Sequence, residues 1–298
     1  MSEKSNHGGR RYVLPLLDQF KHEGPNGQYV CFVFDVLGHH LDFQTAKYED
    51  GRLPIKAYPA HNNGADHSRY TDLKPTNILL ELDNPEKTID EYLAEVPARV
   101  TNDSGVTKPL REVIRTPLVS EMREPHVRIV DFGVASWSDK HLAEMIQSPA
   151  LRAPEVTIGA DWDSKVDIWS LGCLIIEFVQ GIVPFSGVAS KKGSWTVDDD
   201  RLARTIEILG NFPPELLQRG SKTAEFFNAD GGLRRIPDLK STSLERLIDG
   251  AEKPFLRPKD MSGAEVPVFI DFLRGMLTID PTSRKPASEL LQHDWLKM

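Results

Sequence analysis

The loop Asp72-Leu73-Lys74-Pro75-Thr76-Asn77 places a carboxylate, an ammonium group and a carboxamide within six residues. Apolar residues follow at once, which predicts a short buried strand. In phosphoryl transfer, an aspartate orients the attacking hydroxyl and accepts its proton, a lysine neutralises charge on the γ-phosphate, and an asparagine ligates Mg²⁺. The loop therefore predicts phosphoryl-transfer chemistry, with a chance loop of capping and surface charges as the alternative.

Further motifs follow this loop in a fixed order along the chain. Asp131-Phe132-Gly133 ends a second predicted strand, where a carboxylate can hold a metal that bridges phosphates and glycine lets the backbone swing. Ala153-Pro154-Glu155 comes next, then Asp167-Ile168-Trp169-Ser170, and finally Arg284 after Asp280-Pro281. Each motif alone is weak, and it is their order and spacing that argue against chance.

The sequence before the loop predicts a β-hairpin and an irregular region. Residues 12–20 and 29–37 are rich in β-forming residues and flank a Gly-Pro-Asn-Gly turn, with Val30, Phe32 and Phe34 on one face. Residues 50–66 contain two prolines and an Asn-Asn-Gly turn. Because a proline inside a helix costs ~3 kcal/mol relative to alanine, this region predicts a loop.

Two short buried strands, at residues 77–82 and 126–132, are predicted on either side of a long mixed insertion. Residues 163–181 are apolar almost all round, which is typical of a helix buried inside the protein. Further helices are predicted at residues 200–209, 266–277 and 286–292. The second half of the chain is therefore expected to be helical.

Composition indicates a soluble globular chain with a modest acidic excess. Its 298 residues carry a net charge of -8, which disfavours nucleic-acid and membrane binding and favours a basic partner. The only cysteines, Cys31 and Cys173, lie in apolar stretches and are expected to be buried and unpaired. Because the start has no apolar signal-peptide core, we expect an intracellular protein, in the cytoplasm, the nucleus or both. We also expect a monomer.

Taken together, the motifs resemble those of the eukaryotic protein kinase family over nearly the whole chain. Val36-Leu37-Gly38, residues 198–210, Glu225-Phe226-Phe227 and Leu233-Arg234-Arg235-Ile236 resemble the kinases of serine/arginine-rich proteins (SR-protein kinases), especially fungal ones. The resemblance implies an α+β protein-kinase-like fold, N-terminally truncated, with a mainly helical large lobe and a remnant β-hairpin of the small lobe. It divides the chain into a disordered start (1–10), a small-lobe remnant and hinge (11–37) and the large lobe (38–298), with a spacer-like insertion at about 83–125.

The same resemblance implies transfer of the ATP γ-phosphoryl group to Ser/Thr hydroxyls of Arg/Ser-rich proteins, with ATP and Mg²⁺ as cofactors. Asp72 would be the catalytic base and Lys74 the γ-phosphate contact, while Asn77 and Asp131 would ligate Mg²⁺. The expected ATP-binding residues are the gatekeeper, the hinge and the floor under the adenine, namely Phe34, Asp35, Val36, Leu37 and Leu79. The expected structural supports are Asp167, which would brace the catalytic loop, and a buried ion pair, Glu155 with Arg284.

The sequence also departs from the family pattern. No glycine-rich loop precedes the hairpin, because Gly8-Gly9 is too short. The lysine that the family carries on the third strand of its small lobe is also missing, since only Lys4 and Lys21 precede the hinge. Thr71 stands where many kinases carry an arginine that pairs with an activation phosphate, so phosphate-driven activation is not expected. The alternatives to an active kinase are an inactive pseudokinase or interaction module and a truncated gene product.

Two further features have a functional and a structural interpretation. The acidic run Asp198-Asp199-Asp200 could bind an Arg/Ser-rich substrate, or it could be a solvated cap favoured by a helix dipole. The tryptophans Trp162, Trp169 and Trp195 are expected to be packing residues, because no basic groove accompanies them.

Overall fold

Helices dominate the second half of the chain, and strands occur in short antiparallel pairs. The computed structural model describes residues 8–24, 27–55, 68–69, 72–95, 100–101, 110–111, 125–137, 141 and 143–298. The strands are β1 Asp18–Gly24, β2 Gly27–Val33, β3 Ser68–Arg69, β4 Ile78–Leu80, β5 Val100–Thr101, β6 Leu110–Arg111, β7 Val127–Ile129 and β8 Ser136–Trp137. The helices are α1 Leu41–Thr45, α2 Pro85–Glu95, α3 Pro154–Ile158, α4 Lys165–Gln180, α5 Val197–Leu209, α6 Pro214–Arg219, α7 Thr223–Phe226, α8 Leu244–Ile248, α9 Glu265–Met276 and α10 Ala287–Leu290.

The predicted hairpin is present, although its first strand starts later than expected. β1 pairs with β2 in antiparallel register, with Phe20 opposite Cys31. Gly27 closes the turn at a φ of 125°, a backbone conformation that favours glycine. Instead of extending the strand, Gly8–Tyr12 forms a 3₁₀ helix. Residues 1–7 of the expected disordered start lie outside the described residues.

A small sheet carries the loop at residues 72–77. β4 and β7 pair in antiparallel register, with Ile78 opposite Ile129, as the two predicted buried strands. Chain segments continue this sheet on both sides: Val13 forms a parallel bridge with Ile129, and His40 forms an antiparallel bridge with Leu79. The catalytic-type loop therefore leaves a sheet that is supported along both edges.

The helix α4 lies at the centre of the core, as its apolar composition predicted. Its buried residues surround the helix axis and include Trp169, Cys173, Leu174 and Ile176. Full burial of each large aliphatic side chain stabilises the fold by roughly 1.5–3 kcal/mol. Gly181 ends the helix at a φ of 68°, as C-terminal glycines commonly do. The helices α8 and α9 pack against α4.

The remaining predicted helices are present with shifted ends. The helix α5 begins at Val197, earlier than predicted, because Thr196 and Asp199 form a reciprocal capping box. The helix α9 matches the predicted range within a residue at each end, whereas α10 ends at Leu290. A second apolar cluster, on α5, α6 and α7 and the residues next to them, contains Leu202, Ile206, Phe212, Leu216, Phe226 and Phe227.

Residues 50–55, the described part of the region predicted to be irregular, form neither an α-helix nor a strand. Asp50 has a φ of 57°, and Arg52 donates a hydrogen bond to the Pro254 carbonyl at 2.8 Å. The backbone N–H of Ile55 donates to Asp260 Oδ2 at 2.7 Å, which ties this segment to the region before α9. Residues 56–66 lie outside the described residues. The insertion begins with α2, a helix that the sequence did not predict and that buries none of its residues.

The predicted packing residues are buried to different degrees. Trp162 and Trp169 are buried, and Trp195 is half-buried with its indole N–H donating to the Val188 carbonyl. Cys173 is fully buried, whereas Cys31 is only half-buried because its strand is exposed on both faces. In the described ranges, no helix combines the length and hydrophobicity needed to cross a bilayer.

Candidate active site

Asp72 is the centre of a short hydrogen-bond network. Lys74 Nζ donates to Asp72 Oδ2 at 2.6 Å, and the Asn77 amide nitrogen donates to the Asp72 carbonyl at 3.1 Å and to Oδ2 at 3.3 Å. The Asp72 side chain keeps 15% of its surface exposed and that of Lys74 keeps 31%. One carboxylate oxygen is therefore anchored inside the loop, while the group stays accessible to a ligand.

The local backbone places Asn77 beside the end of β7. Pro75–Asn77 forms a 3₁₀ turn that leads into β4, and proline suits its first position because no N–H is required there. The backbone N–H of Val130 donates to the Asn77 carbonyl at 3.0 Å. Asp131 follows Val130 directly, so the sheet pairing brings the loop and the Asp131 motif to the same edge.

Asp131 has an unusual backbone conformation. Its φ is 63°, in the left-handed region, which costs roughly 1–3 kcal/mol for a non-glycine residue and often occurs at functional sites. Its side chain is exposed, and Oδ1 accepts a hydrogen bond from the Gly133 N–H at 3.3 Å. A Cβ at position 133 would lie 3.2 Å from that oxygen, a tight contact that explains glycine there.

The oxygen atoms of Asn77 and Asp131 fit a Mg²⁺ ion. Mg²⁺ prefers hard oxygen ligands and is usually held by one or two protein groups together with phosphates and water. Because the Asn77 amide nitrogen donates to Asp72, its amide oxygen points away from Asp72 and is the acceptor that a cation requires. The described residues hold no cluster of three or more His, Cys, Asp or Glu side chains that could bind a metal, so a nucleotide would have to supply other ligands.

A second loop reaches Asp72 from the segment after Asp131. The Ser148 hydroxyl lies 3.3 Å from Asp72 Oδ1, the oxygen that Lys74 and Asn77 leave free. A serine hydroxyl therefore already lies within hydrogen-bond distance of the predicted base. This contact joins the loop at residues 146–153 to the catalytic-type loop.

Gln147 holds that second loop in place, a role that the sequence did not reveal. Its buried amide nitrogen donates to the Val166 carbonyl at 2.8 Å and to the Ser170 hydroxyl at 2.7 Å. Its amide oxygen accepts from the Ala153 N–H at 3.0 Å. Gln147 has a φ of 64°, which is strained for glutamine. A single polar residue between Ile146 and Ser148 carries no pattern that would have revealed this role.

The structure brings Glu155 and Arg284 together as a buried ion pair. Arg284 Nη1 and Nη2 donate to the two carboxylate oxygens of Glu155 at 2.7 and 2.9 Å, and both side chains are fully buried. Arg284 also donates to the carbonyls of Thr278 and Lys165, and its guanidinium lies over the Trp169 ring. These added partners satisfy the charge that burial would otherwise leave costly.

The predicted hinge and adenine floor lie side by side. The Gly38 N–H donates to the Leu80 carbonyl at 2.8 Å, so the segment that follows Leu37 runs along β4. Leu79 is half-buried between the buried Ile78 and Leu80, as expected for a side chain on the opposite face of the strand. The hinge backbone and Leu79 can therefore border one site.

Phe34, the predicted gatekeeper, is a surface residue here. Its side chain is 44% exposed and contacts Phe32 with a ring-centroid distance of 6.5 Å. Asp35 and Val36 are also exposed, and Leu37 is half-buried. Phe34 does not close the back of a cavity, because it follows a strand that is exposed along almost its whole length.

Asp167 lies in the first turn of α4, half-buried. Tyr70 and Thr71, which open the loop that it was expected to brace, lie outside the described residues. The bracing role of Asp167 therefore stays a prediction.

The acidic run at the start of α5 caps the helix, as the structural interpretation of the sequence held, but its carboxylates are paired with groups of the chain and Asp199 is not solvated. Asp199 is buried, caps the helix and accepts from Arg235 Nη1 at 2.8 Å. Asp198 pairs with Arg201. Asp200 pairs with Arg204 and accepts from the Val188 N–H, so each carboxylate has a partner within the chain. The physical reason is that α5 itself supplies arginines one turn after each outer aspartate.

Comparison with known proteins identifies the family. The model of the protein kinase domain matches residues 60–296, most of the chain. The chain belongs to the protein kinase family. This match confirms the predicted fold class, a helical large lobe with a small β-hairpin before it.

Several relatives are SR-protein kinases, as the sequence motifs predicted. The chain is 31% identical over 310 residues to the serine/threonine-protein kinase SRPK of Physarum polycephalum, covering 95% of this chain and 71% of the relative. It is 27% identical over 392 residues to protein kinase dsk1 of Schizosaccharomyces pombe, covering 98% and 70%. With serine/threonine-protein kinase SKY1 of Saccharomyces cerevisiae it shares 40% identity over 171 residues, 57% of this chain and 22% of the relative. By family, the chain is a serine/threonine protein kinase of the SR-protein-kinase type.

Proposed function

We propose that this chain transfers the γ-phosphoryl group of Mg-ATP to Ser/Thr hydroxyls of Arg/Ser-rich proteins. The observation that carries the proposal is the Asp72 carboxylate. Lys74 and Asn77 hold one of its oxygens, and the other already lies 3.3 Å from a serine hydroxyl. A substrate hydroxyl that replaced Ser148 would find the carboxylate oriented to accept its proton.

The neighbouring residues have complementary roles in this proposal. Lys74 lies beside the base, where its ammonium group can neutralise charge on the transferred phosphoryl group. Asn77 and Asp131 would hold Mg²⁺, which, when bound, neutralises charge on the nucleotide phosphates. Gln147 anchors the loop that carries Ser148, so no phosphorylated side chain is needed to hold that loop.

The proposed substrate class rests on charge and on the relatives. A net charge of -8 favours a basic substrate. The murine relative that is 36% identical over 171 residues is named SRSF protein kinase 3. Because Asp198, Asp199 and Asp200 are paired within the chain, other carboxylates would have to attract the substrate arginines. Two cysteines that form no disulfide fit the proposed location in the cytoplasm or nucleus.

An inactive interaction module is the second candidate, and one observation favours it. The predicted adenine-facing residues Phe34 and Val36 are 44% and 41% exposed, so the described residues leave the nucleotide side open. An open site would bind ATP weakly, because electrostatic contacts to phosphates weaken in water.

A paired assay distinguishes the two candidates. We would measure Mg-ATP binding by thermal shift and ³²P transfer to an Arg/Ser-repeat peptide for the purified chain. The variants would be Asp72→Asn, Asp131→Ala and the matched surface control Asp238→Asn, since Asp238 is exposed and is distant in sequence from the Asp72 and Asp131 motifs. Transfer that is lost in the first two variants and kept in the control supports the kinase. A folded chain with neither binding nor transfer would leave the interaction module.

A further inference from the structure

Arg201, on α5, is a buried charged residue that the proposed mechanism does not use. Its side chain keeps only 4% of its surface exposed. A buried guanidinium group is costly unless its charge and its N–H groups have partners. Within the described residues its Nε has no acceptor, so its two Nη groups make all of its described hydrogen bonds. The partners of these two groups therefore indicate what Arg201 does.

One partner is a carboxylate on the same helix, and the other is a carbonyl in a distant loop. Nη2 donates to Asp198 Oδ1, and Nη1 donates to the carbonyl of Pro149, 52 residues earlier in the chain. Pro149 directly follows Ser148, whose hydroxyl lies 3.3 Å from Asp72 Oδ1. Arg201 is therefore connected to the predicted base through two adjacent residues of the loop.

The backbone around Pro149 transmits this contact to Ser148. The pyrrolidine ring fixes the φ of a proline at about −65°, which leaves ψ as the one soft torsion that orients its carbonyl. Pro149 opens a 3₁₀ turn, and the Leu151 N–H in that turn donates to the Ser148 carbonyl at 2.9 Å. Because two successive carbonyls of the turn are held, the Ser148 hydroxyl has a fixed place beside Asp72.

The other anchors of the loop come from elsewhere in the fold. Arg152, at the end of the loop, donates to the Gln147 carbonyl at 3.1 Å. The Ser170 hydroxyl of α4 donates to the Leu151 carbonyl at 2.9 Å. Among the residues that the structure describes, the hydrogen bond from Arg201 is the one that joins α5 to this loop.

The Asp198 carboxylate stabilises the charge of Arg201 beside a second guanidinium group. Burial lowers the pKa of both Arg152 and Arg201, and in each the Asp198 carboxylate opposes this effect. Arg152 also lowers the pKa of Arg201, because two like charges repel each other. Asp198 therefore helps to keep Arg201 charged and in place against the loop.

We propose that Arg201 is a positioning residue for phosphoryl transfer, which holds the Pro149 carbonyl and thereby keeps Ser148 against Asp72. The carboxylate is then already oriented when a substrate hydroxyl arrives to replace that of Ser148. This inference rests on the proposed function. Fixing reacting groups before the reaction lowers its barrier, and a misplacement of about 1 Å can cost about a hundredfold in rate. Because the described contacts of Arg201 include none of the predicted ATP-binding residues, Arg201 affects kcat rather than the KM for ATP.

Arg201→Lys tests the proposal. Lysine keeps the charge, but its single ammonium group cannot reproduce the two-armed geometry that holds Asp198 and Pro149. With an Arg/Ser-repeat peptide, we expect kcat to fall about tenfold and the KM for Mg-ATP to stay unchanged. The matched control Arg204→Lys should keep the wild-type kcat, since Arg204 is 40% exposed and pairs with Asp200 on the same helix. Equal kcat values in the wild type and Arg201→Lys would overturn the proposal.

A double variant separates positioning from a general loss of folded protein. If Arg201 acts through Ser148, Arg201→Lys should lower kcat much less in a Ser148→Ala background than in the wild type, because both changes remove the same link. An equal fold loss in the two backgrounds would indicate a merely structural role and would overturn the proposal. Circular dichroism would verify that all variants fold.

Amide hydrogen exchange tests the anchor without requiring transfer. The Leu151 N–H, which donates to the Ser148 carbonyl, should exchange faster in Arg201→Lys than in the wild type or in Arg204→Lys. Equal exchange in all three proteins would overturn the proposal, whether or not they are active. If the wild type transferred no phosphate but exchange were faster in Arg201→Lys alone, the proposed function would fail and the anchor would be supported.

Discussion

Glu177 provides a test of how burial and charge combine in the core. It lies on α4 and is partly buried, and Asp42 on α1 is the acidic group near it. Burial is the larger cause and the Asp42 carboxylate is the smaller one. Together they raise the pKa of Glu177 from 4.5 to about 7. Between these pH values the folded chain holds a proton that the unfolded chain has lost, so the free energy of unfolding falls as pH rises.

The magnitude follows from this pKa. A gap of about 2.5 pH units corresponds to at most ~3.4 kcal/mol. Because Glu177 is only partly buried, screening by solvent reduces the effect, and we expect ~1–2 kcal/mol. Glu177→Gln removes the charge but keeps the shape, so the variant should be more stable than the wild type by this amount at pH 8. The two proteins should be nearly equal at pH 4.5.

Urea unfolding at both pH values measures the difference. Asp42→Asn should produce a smaller gain at pH 8, because Asp42 is the lesser cause of the pKa shift. The surface control Glu95→Gln, at the exposed end of α2, should leave the pH dependence unchanged. If the wild type and Glu177→Gln lost stability in parallel between pH 4.5 and pH 8, the reasoning about Glu177 would be wrong.

Three further predictions concern buried polar groups. Glu155→Gln should lower the free energy of unfolding by about 3–5 kcal/mol, measured with urea, because the Arg284 charge would stay buried without its partner; an unchanged midpoint would contradict this. Gln147→Leu should cost about 2–3 kcal/mol and speed proteolysis at residues 146–153, since buried donors and acceptors lose their partners; equal cleavage rates would argue against the anchor. Asp199→Asn should lower the thermal midpoint, because it weakens both the cap of α5 and the ion pair with Arg235, at a cost of about 1–2 kcal/mol. The control Glu225→Gln, on the exposed surface, should leave the thermal midpoint unchanged.

Much of the fold was predictable because its signals are local. The Gly-Pro-Asn-Gly turn between two β-rich runs predicted the hairpin, and the apolar residues of 163–181 predicted the central helix. The predicted ends of the helices were less accurate than their predicted centres. The start of α5 depends on a capping box between Thr196 and Asp199, whose reciprocal bonds override a simple count of helix-forming residues.

The candidate site was predictable in composition but not in its connections. Asp72, Lys74 and Asn77 were identified together because they lie within one loop. The contact between Ser148 and Asp72 was missed, because it joins residues far apart in the chain. Gln147 was missed for a related reason, since its importance arises from the carbonyl and hydroxyl groups that surround it after folding.

By itself, the sequence determined the family, the order of the functional motifs and the placement of the main elements, since each depends on residue types at short spacing. The tertiary structure decided which charges are neutralised and which apolar surfaces remain open. Asp199 was expected to be a solvated cap, and it does cap α5 but is buried against Arg235; Phe34 was expected to be the gatekeeper, and its side chain is 44% exposed. Burial and ion pairing depend on what packs from distant parts of the chain, which local sequence does not encode.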